Sequence, residues 1–135
     1  MSGCILLVRH GETEWNLQRR YQGRSDSALT ATGIAQAHAI GRLLDTLPEA
    51  KAARIIASPL GRAQRTAEII REHFAVAPKL QFDDRLRELS LGSWDGLTYT
   101  EIAALSRRVR WPGTVRLVFS LAGWRTVWRL RRPAQ

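Results

Sequence analysis

Four side chains with reactive or ionic chemistry follow short apolar segments of this 135-residue sequence. Arg9 and His10 come directly after the first segment, Arg62 follows the second, and Glu88 follows the third. A neutral imidazole nitrogen can attack phosphorus and hold a phosphoryl group covalently. Guanidinium groups bind phosphate oxygens in pairs, and a carboxyl group can give a proton to a departing alkoxide. These residue types together predict phosphoryl transfer, a reaction that here needs no metal or other cofactor.

The apolar segments themselves predict the sheet that positions these residues. Residues 4–8, 54–57 and 80–82 are short apolar runs that suit strands buried in a parallel sheet. Helical patterns separate them, so the predicted fold is α/β, a mostly parallel sheet flanked by helices. Ligands in such sheets bind beyond the carboxyl ends of the strands. The residues that follow each strand are therefore expected to lie close together.

Two helices are expected between these strands. The first begins near Thr30 or Thr32 and ends at Pro48. The second begins with Ser58 as its N-cap and Pro59 as its first residue, because a hydroxyl can accept from a free amide and proline lacks one. The positions at helical spacing are Ile34, Ala37, Ile40 or Gly41, Leu44 and Leu47 in the first helix, and Ala63, Ala67, Ile70 and Phe74 in the second.

Three motifs in this order resemble the histidine phosphatase superfamily, which includes the phosphoglycerate mutases. Residues 9–16 read RHGETEWN and are similar to the family's signature, with matching residues continuing to Gly33. Residues 58–67 (SPLGRAQRTA) resemble its second arginine motif, and residues 86–96 (LRELSLGSWDG) resemble its acidic motif. Ala28 stands where the family usually has proline. The resemblance covers residues 4 to about 102 and implies a phosphoglycerate mutase-like fold.

The resemblance implies a role for each matched residue. His10 would be the phosphorylated nucleophile, and Glu88 would be the proton donor. One ring nitrogen of His10 should donate to a carbonyl or carboxylate, so that the other is free to attack. The residues that bind the phosphate would be Arg9, Asn16, Gln22, Gly23 and Arg62.

Other polar residues have simpler interpretations. We interpret His38, inside the first helix, and His73, in the last turn of the second, as structural or surface residues. The pair Asp83 and Asp84 is interpreted as a turn, because no further ligand recurs at the spacing that a metal site requires. The sequence thus predicts no metal site.

The composition changes near Ser106. Residues 1–105 carry 13 basic and 12 acidic side chains, whereas residues 106–135 carry eight arginines and no acid. Most of the formal net charge of +9 therefore lies in the last thirty residues, which also hold three of the five tryptophans. We predict an α/β core over residues 1–105 and a basic tail over residues 106–135 that does not resemble the family.

This tail has three explanations. Family members carry a second active-site histidine in a later motif, yet no histidine follows His73 here. The first explanation, which composition favours, is a family domain truncated or frameshifted after about residue 105 and so incomplete at its C-terminal side. The second is a basic arm that binds nucleic acid or an anionic membrane. The third is a helix or strand that completes the core, for which residues 115–121 are suited.

The sequence predicts a phosphatase that hydrolyses a small phosphorylated metabolite through phosphohistidine at position 10. Loss of the second histidine is expected to impair turnover, on the order of a hundredfold or more. The alternatives are a cofactor-dependent phosphoglycerate mutase and a catalytically silent phosphate-binding or interaction protein. No basic segment precedes a long apolar stretch, and no run of 18 apolar residues occurs, so we expect a cytoplasmic protein.

Overall fold

The computed structural model describes residues 4–51, 53–106 and 127–131. The strands are β1 (Cys4–Val8), β2 (Ile55–Ala57), β3 (Leu80–Phe82) and β4 (Val127–Arg131). The helices are α1 (Glu14–Leu17), α2 (Ala31–Asp45), α3 (Pro48–Lys51), α4 (Gly61–Arg71) and α5 (Tyr99–Ser106). Short 3-10 helices occupy Asp84–Leu86 and Gly92–Trp94. The first of these confirms that the Asp83–Asp84 pair belongs to a turn.

The strands form two pairs. β2 and β3 are parallel, with Ile55 opposite Leu80, as the strand–helix–strand order predicts. β1 pairs antiparallel with β4, with Val8 opposite Val127. The α/β fold with a parallel sheet and flanking helices is therefore confirmed, and one strand of the basic tail joins it. Residues 115–121, where we placed a possible strand, lie outside the described residues.

The core lies between the strands and helices α2 to α4. Ile40, Leu44 and Ala50 are buried together with Ile70 of α4, and Leu6, Val8 and Ile55 of the strands pack against this cluster. Alternate residues of β1 face the helices, whereas Ile5 and Leu7 are exposed. This packing fixes the carboxyl end of β1 next to the first turn of α4.

The predicted helix boundaries are partly wrong. Thr30 does cap α2, its side chain accepting from the amide of Gly33, but the helix ends at Asp45 and Pro48 begins α3. The α4 prediction is wrong at its start, since Leu60 is the N-cap and makes no side-chain cap bond. α4 also ends at Arg71, so His73 lies beyond the helix and not in its last turn.

No helix in the described ranges is long and apolar enough to cross a membrane.

Candidate active site

The loop after β1 is held by side chains from three helices. The Gly11 amide donates to Thr66 Oγ1 of α4 at 3.0 Å, and the Glu12 amide donates to Gln36 Oε1 of α2 at 2.9 Å. The Thr13 amide donates to Asn16 Oδ1 of α1 at 3.0 Å, and the Thr13 hydroxyl caps α1 by accepting from the Asn16 amide. Consecutive amides of one loop thus have fixed partners, and the residue at position 10 is held in a defined orientation.

Glycine is required where this loop meets α2. A Cβ on Gly11 would overlap the carbonyl of Gly33, and a Cβ on Gly33 would overlap the carbonyl of Glu12. The two backbones therefore approach more closely than any residue with a side chain allows. This contact explains both glycines and brings the His10 loop against the first turn of α2.

His10 is oriented by its own loop. Its Nδ1 lies 2.7 Å from the carbonyl oxygen of Gly11, and a carbonyl only accepts, so Nδ1 carries the proton. The remaining nitrogen, Nε2, then has its lone pair available. Burial lowers the pKa of His10 below 6.5, and the positive charges of Arg62 and Arg9 lower it further. The Gly11 carbonyl and the Asp26 charge oppose this effect without reversing it, so the lowered pKa favours the neutral ring.

Arg62 is buried in the first turn of α4, with 5% of its surface exposed. Its Nη1 donates to the Ser25 carbonyl at 2.7 Å and lies 3.5 Å from Asp26 Oδ1, and its Nη2 donates to the Gly23 carbonyl at 2.9 Å. A guanidinium has five N–H donors. Within the described ranges, no hydrogen bond of Arg62 uses Nε. This donor can bond to an oxygen of a bound phosphate.

Asp26 supplies the cap that α4 lacks in its own sequence. Its carboxylate accepts from the amides of Gly61 and Arg62, the latter at 3.1 Å. Ser58 accepts only a long bond of 3.4 Å from the Leu60 amide, which is why it does not act as the cap. The negative charge lies at the positive end of the helix and beside the Arg62 guanidinium. Asp26 thus fixes both the helix and the arginine.

Gln22 and Gly23 form the loop that contacts Arg62. Gly23 has a φ of +50°, a backbone conformation that favours glycine. Gln22 is buried, and its Oε1 has no hydrogen-bond partner in the described part of the chain. Buried polar atoms are nearly always paired. The unpaired Oε1 of Gln22 belongs to the loop that contacts Arg62, and it is suited to accept a hydrogen bond from a bound ligand.

Asn16 and Glu88 make different contacts from those the resemblance implies. The Oδ1 of Asn16 accepts from the amide and hydroxyl of Thr13, both at 3.0 Å, and so completes the α1 capping box. Glu88 is exposed, its Oε1 accepts from the Leu89 amide at 3.0 Å, and its carbonyl accepts from Arg24 Nε. Among the described residues, neither side chain hydrogen-bonds to His10. The structure therefore brings together Arg9, His10 and Arg62, but it leaves Glu88 on a surface loop.

A cavity of about 410 Å³ opens beside His10. Its polar lining residues include Arg9, His10, Ser58 and Thr66, and most of the remaining lining is apolar. Arg62, Gln22 and Glu88 are not among its lining residues. The described residues contain no cluster of three or more histidine, cysteine, aspartate or glutamate side chains that could hold a metal ion.

Two residues of this site were missed by sequence reasoning about function. Asp26 lies within the matching residues that continue to Gly33, and Thr66 lies within the second arginine motif, but neither was given a role. Thr66 is buried, accepts from the Gly11 amide and donates to the Arg62 carbonyl at 2.7 Å, so it joins the His10 loop to the arginine. The available signal was the position of Thr66 one turn after Arg62, on the face of α4 that also buries Ala67 and Ile70.

The two remaining histidines pair with each other. His38 Nδ1 lies 2.9 Å from His73 Nε2, and the rings meet edge to face. This contact joins α2 to the segment after α4. It fits the structural interpretation of both residues.

Comparison with known proteins agrees with the motifs. The sequence model of the histidine phosphatase superfamily (branch 1) matches residues 5–117, reaching beyond the boundary that we placed at residue 105. A protein of Salmonella paratyphi C named "Probable phosphoglycerate mutase GpmB" is 51% identical over 88 residues, which are 65% of this chain and 39% of that protein. The protein of the same name from Citrobacter koseri shows the same identity and coverage.

Solved structures with this fold include phosphatases. Bacillus stearothermophilus YhfR is 41% identical with a TM-score of 0.70, covering 78% of this chain and 50% of that one. A mycobacterial glucosyl-3-phosphoglycerate phosphatase complexed with VO3 is 34% identical with a TM-score of 0.69, covering 78% and 48%. Entamoeba histolytica phosphoserine phosphatase in complex with 3-phosphoglyceric acid is 34% identical with a TM-score of 0.63, covering 74% and 47%.

The chain spans about two fifths of the length of the curated relatives that it matches and about half of the solved structures. The range that the family model matches, residues 5–117, contains the loop of His10 and the first turn of α4. Family model, relatives and fold agree, and this chain belongs to the histidine phosphatase superfamily.

Proposed function

We propose that this chain carries a phosphomonoesterase site at which Nε2 of His10 accepts the phosphoryl group of a small phosphorylated metabolite. One observation carries the proposal: a histidine whose Nδ1 is held by the Gly11 carbonyl has a lowered pKa and lies in the field of two guanidiniums. A neutral, oriented imidazole beside two fixed cations suits attack on a phosphate ester. The phosphatases among the similar structures support the same reaction class.

The reaction follows from these groups. The Nε2 lone pair forms a bond to phosphorus while the bond from phosphorus to the ester oxygen breaks. Arg9 and the Nε–H of Arg62 bind the phosphoryl oxygens, and both guanidiniums oppose their charge. Gln22 and Gly23 border the phosphate, and Asn16 holds the loop that they face. Water then attacks phosphorus and gives a proton to the carboxylate that protonated the alkoxide, while the P–N bond breaks with its electron pair returning to Nε2, which restores neutral His10 and releases inorganic phosphate.

Glu88 is proposed as the acid that protonates the departing alkoxide. In this structure its carboxylate accepts from the Leu89 amide on an exposed loop. The role therefore requires that this loop turn toward His10 when substrate binds. Arg24, whose Nε donates to the Glu88 carbonyl, links that loop to the segment carrying Gly23.

Hydrolysis of a chromogenic phosphomonoester in the presence of a chelator tests the proposal. We expect turnover without metal, and a decrease of at least about a hundredfold in His10→Ala, because the acceptor of the phosphoryl group is removed. His38→Gln is the matched control, since it alters a histidine outside the site, and it should retain activity. Equal, background release by the wild type and His10→Ala would reject catalysis and favour a silent phosphate-binding protein.

A phosphoglycerate mutase is the second candidate, because two relatives at 51% identity bear that name. A mutase returns the phosphoryl group to a hydroxyl of the substrate instead of to water. Incubation with 3-phosphoglycerate separates the two reactions. Release of inorganic phosphate supports the phosphatase, and conversion to 2-phosphoglycerate without phosphate release supports the mutase.

A further inference from the structure

His38 and His73 face each other between α2 and the segment that follows α4. His38 Nδ1 lies 2.9 Å from His73 Nε2, and the ring planes are inclined at 83°. The ring centroids are 5.2 Å apart, which matches the nitrogen–nitrogen distance extended by one ring radius at each end. The two nitrogens therefore point at each other along one line, which is the geometry of an N–H···N hydrogen bond.

This geometry fits a proton between the rings and not a metal ion. Two imidazoles that bind one ion in a tetrahedral site direct their lone pairs at a point about 2 Å from each nitrogen and off the line that joins them. Here each nitrogen is directed at the other one. The described residues also contain no third histidine, cysteine or carboxylate that would complete a metal site with this pair.

α2 makes room for this contact at Gly41. A Cβ at this position would overlap Cδ2 of the His73 ring. Gly41 is buried and follows His38 by three residues, so both lie on the same face of α2. Glycine inside a helix costs about 0.5–1 kcal/mol relative to alanine, and here it allows the ring of His73 to lie directly against the helix backbone.

The histidine contact holds a loop that is otherwise exposed. At the base of this loop, Arg71 Nε donates to the Pro78 carbonyl at 2.8 Å. Residues 75–77, between these two contacts, are exposed. Opening of the contact between His38 and His73 would therefore release the loop from α2 while its base stays closed.

No charged side chain bonds to either ring in the described ranges. Apart from their mutual contact, His38 and His73 make no ion pair or hydrogen bond through their side chains. The charged residues of the surrounding elements are Arg42 and Asp45 of α2, Glu49 and Lys51 of α3, and Glu68, Arg71 and Glu72 of α4 and its C-cap. The two imidazoles thus act mainly on each other.

The number of protons on the two rings decides whether the contact exists. Each imidazole has two nitrogens, so two neutral rings share one N–H···N bond, and a first added proton leaves it intact as a charge-assisted bond. A second added proton places N–H groups on both of the facing nitrogens and two positive charges on adjacent rings. Neither ring then accepts a hydrogen bond, and the contact opens.

We propose that His38 and His73 form an acid-sensitive contact that holds the loop after α4 against α2 and releases it when both rings are protonated. The open form binds one more proton than the closed form, so a falling pH favours opening. An imidazole is the side chain whose charge ordinarily changes between about pH 5 and 8, so mild acid is the expected trigger. The inference goes beyond the proposed reaction and does not depend on it.

Nuclear magnetic resonance tests the contact directly, because a scalar coupling between two ring nitrogens is transmitted across an N–H···N bond. In the full ¹⁵N-labelled chain, we expect a coupling between His38 Nδ1 and His73 Nε2 at about pH 8 and its loss at about pH 5. Corrected for the intrinsic rate, hydrogen exchange at the amides of His73 and Phe74 should become about two- to tenfold faster, as the loss of one hydrogen bond predicts.

His38→Asn is the matched control, because its carboxamide both donates and accepts and takes up no proton. We expect slow exchange at His73 and Phe74 in this variant at both pH values, whereas His38→Ala should show fast exchange at both. All three chains retain His10, so an effect of acid on the site is common to them. The proposal is wrong if the wild type keeps the coupling in mild acid, if it shows none at about pH 8, or if all three chains exchange alike.

Discussion

At position 10, burial and the positive charges of two neighbouring guanidiniums both lower the pKa of the imidazole. Both disfavour the protonated ring, and the Gly11 carbonyl determines which nitrogen keeps its proton. The sequence predicted that His10 would be neutral and held by an acceptor. It could not identify the acceptor, because that depends on the turn of a single loop.

The lowered pKa of His10 predicts a pH dependence of stability. The unfolded chain takes up a proton as the pH falls through 6.5, whereas the folded chain does so only at lower pH. Between these two values the unfolded state binds more protons, so the free energy of unfolding decreases as the pH falls. Urea unfolding of the wild type and His10→Asn should therefore show a shallower decrease in the variant. An equal decrease of the free energy of unfolding with falling pH in both proteins would contradict the lowered pKa of His10.

Thr66 is predicted to be essential for the local structure. Thr66→Val keeps the shape but leaves the buried Gly11 amide without its acceptor, which costs about 1–3 kcal/mol of unfolding free energy. Thr66→Ser retains the hydroxyl and should lose less. Chemical denaturation measures the free energy of unfolding of both variants. A valine variant as stable as the serine variant would show that the hydroxyl does not hold the loop.

At the scale of elements, the start of α4 depends on a residue far away in the sequence. Local rules favoured Ser58 and Pro59, yet the helix begins at Gly61 and receives its cap from Asp26. β1, the start of α2 and the position of β3 were predictable, since apolar runs and a capping threonine are local signals. A cap supplied by another loop has no such signal.

Asp26 variants test this connection. Asp26→Ala should lower the free energy of unfolding by about 0.5–2 kcal/mol, as loss of a helix cap does. Because the Asp26 charge raises the pKa of His10, both Asp26→Ala and Asp26→Asn should lower that pKa further. NMR titration of the histidine ring protons measures the pKa, with His38 and His73 as internal controls. An unchanged His10 pKa would place Asp26 outside the site.

At the scale of the whole molecule, the described residues form one side of an α/β fold. α2 and α4 cover one face of the strands, while Ile5, Leu7 and Ile56 leave the other face exposed. The composition change near Ser106 gave no indication that residues 127–131 would pair with β1. Strand pairing across more than a hundred residues depends on tertiary packing, which composition does not report. A sequence motif likewise does not predict that Glu88 lies on an exposed loop.

The most direct test is to trap the phosphoryl group itself. The chain is mixed with a ³²P-labelled phosphomonoester, quenched within milliseconds to seconds and digested at alkaline pH, and the labelled peptide is mapped by mass spectrometry. We predict a phosphate on His10 that is lost in acid, as a phosphorus–nitrogen bond requires, and none in His10→Asn. Label on another residue, or an unlabelled His10 in a chain that still hydrolyses the ester, would contradict the account.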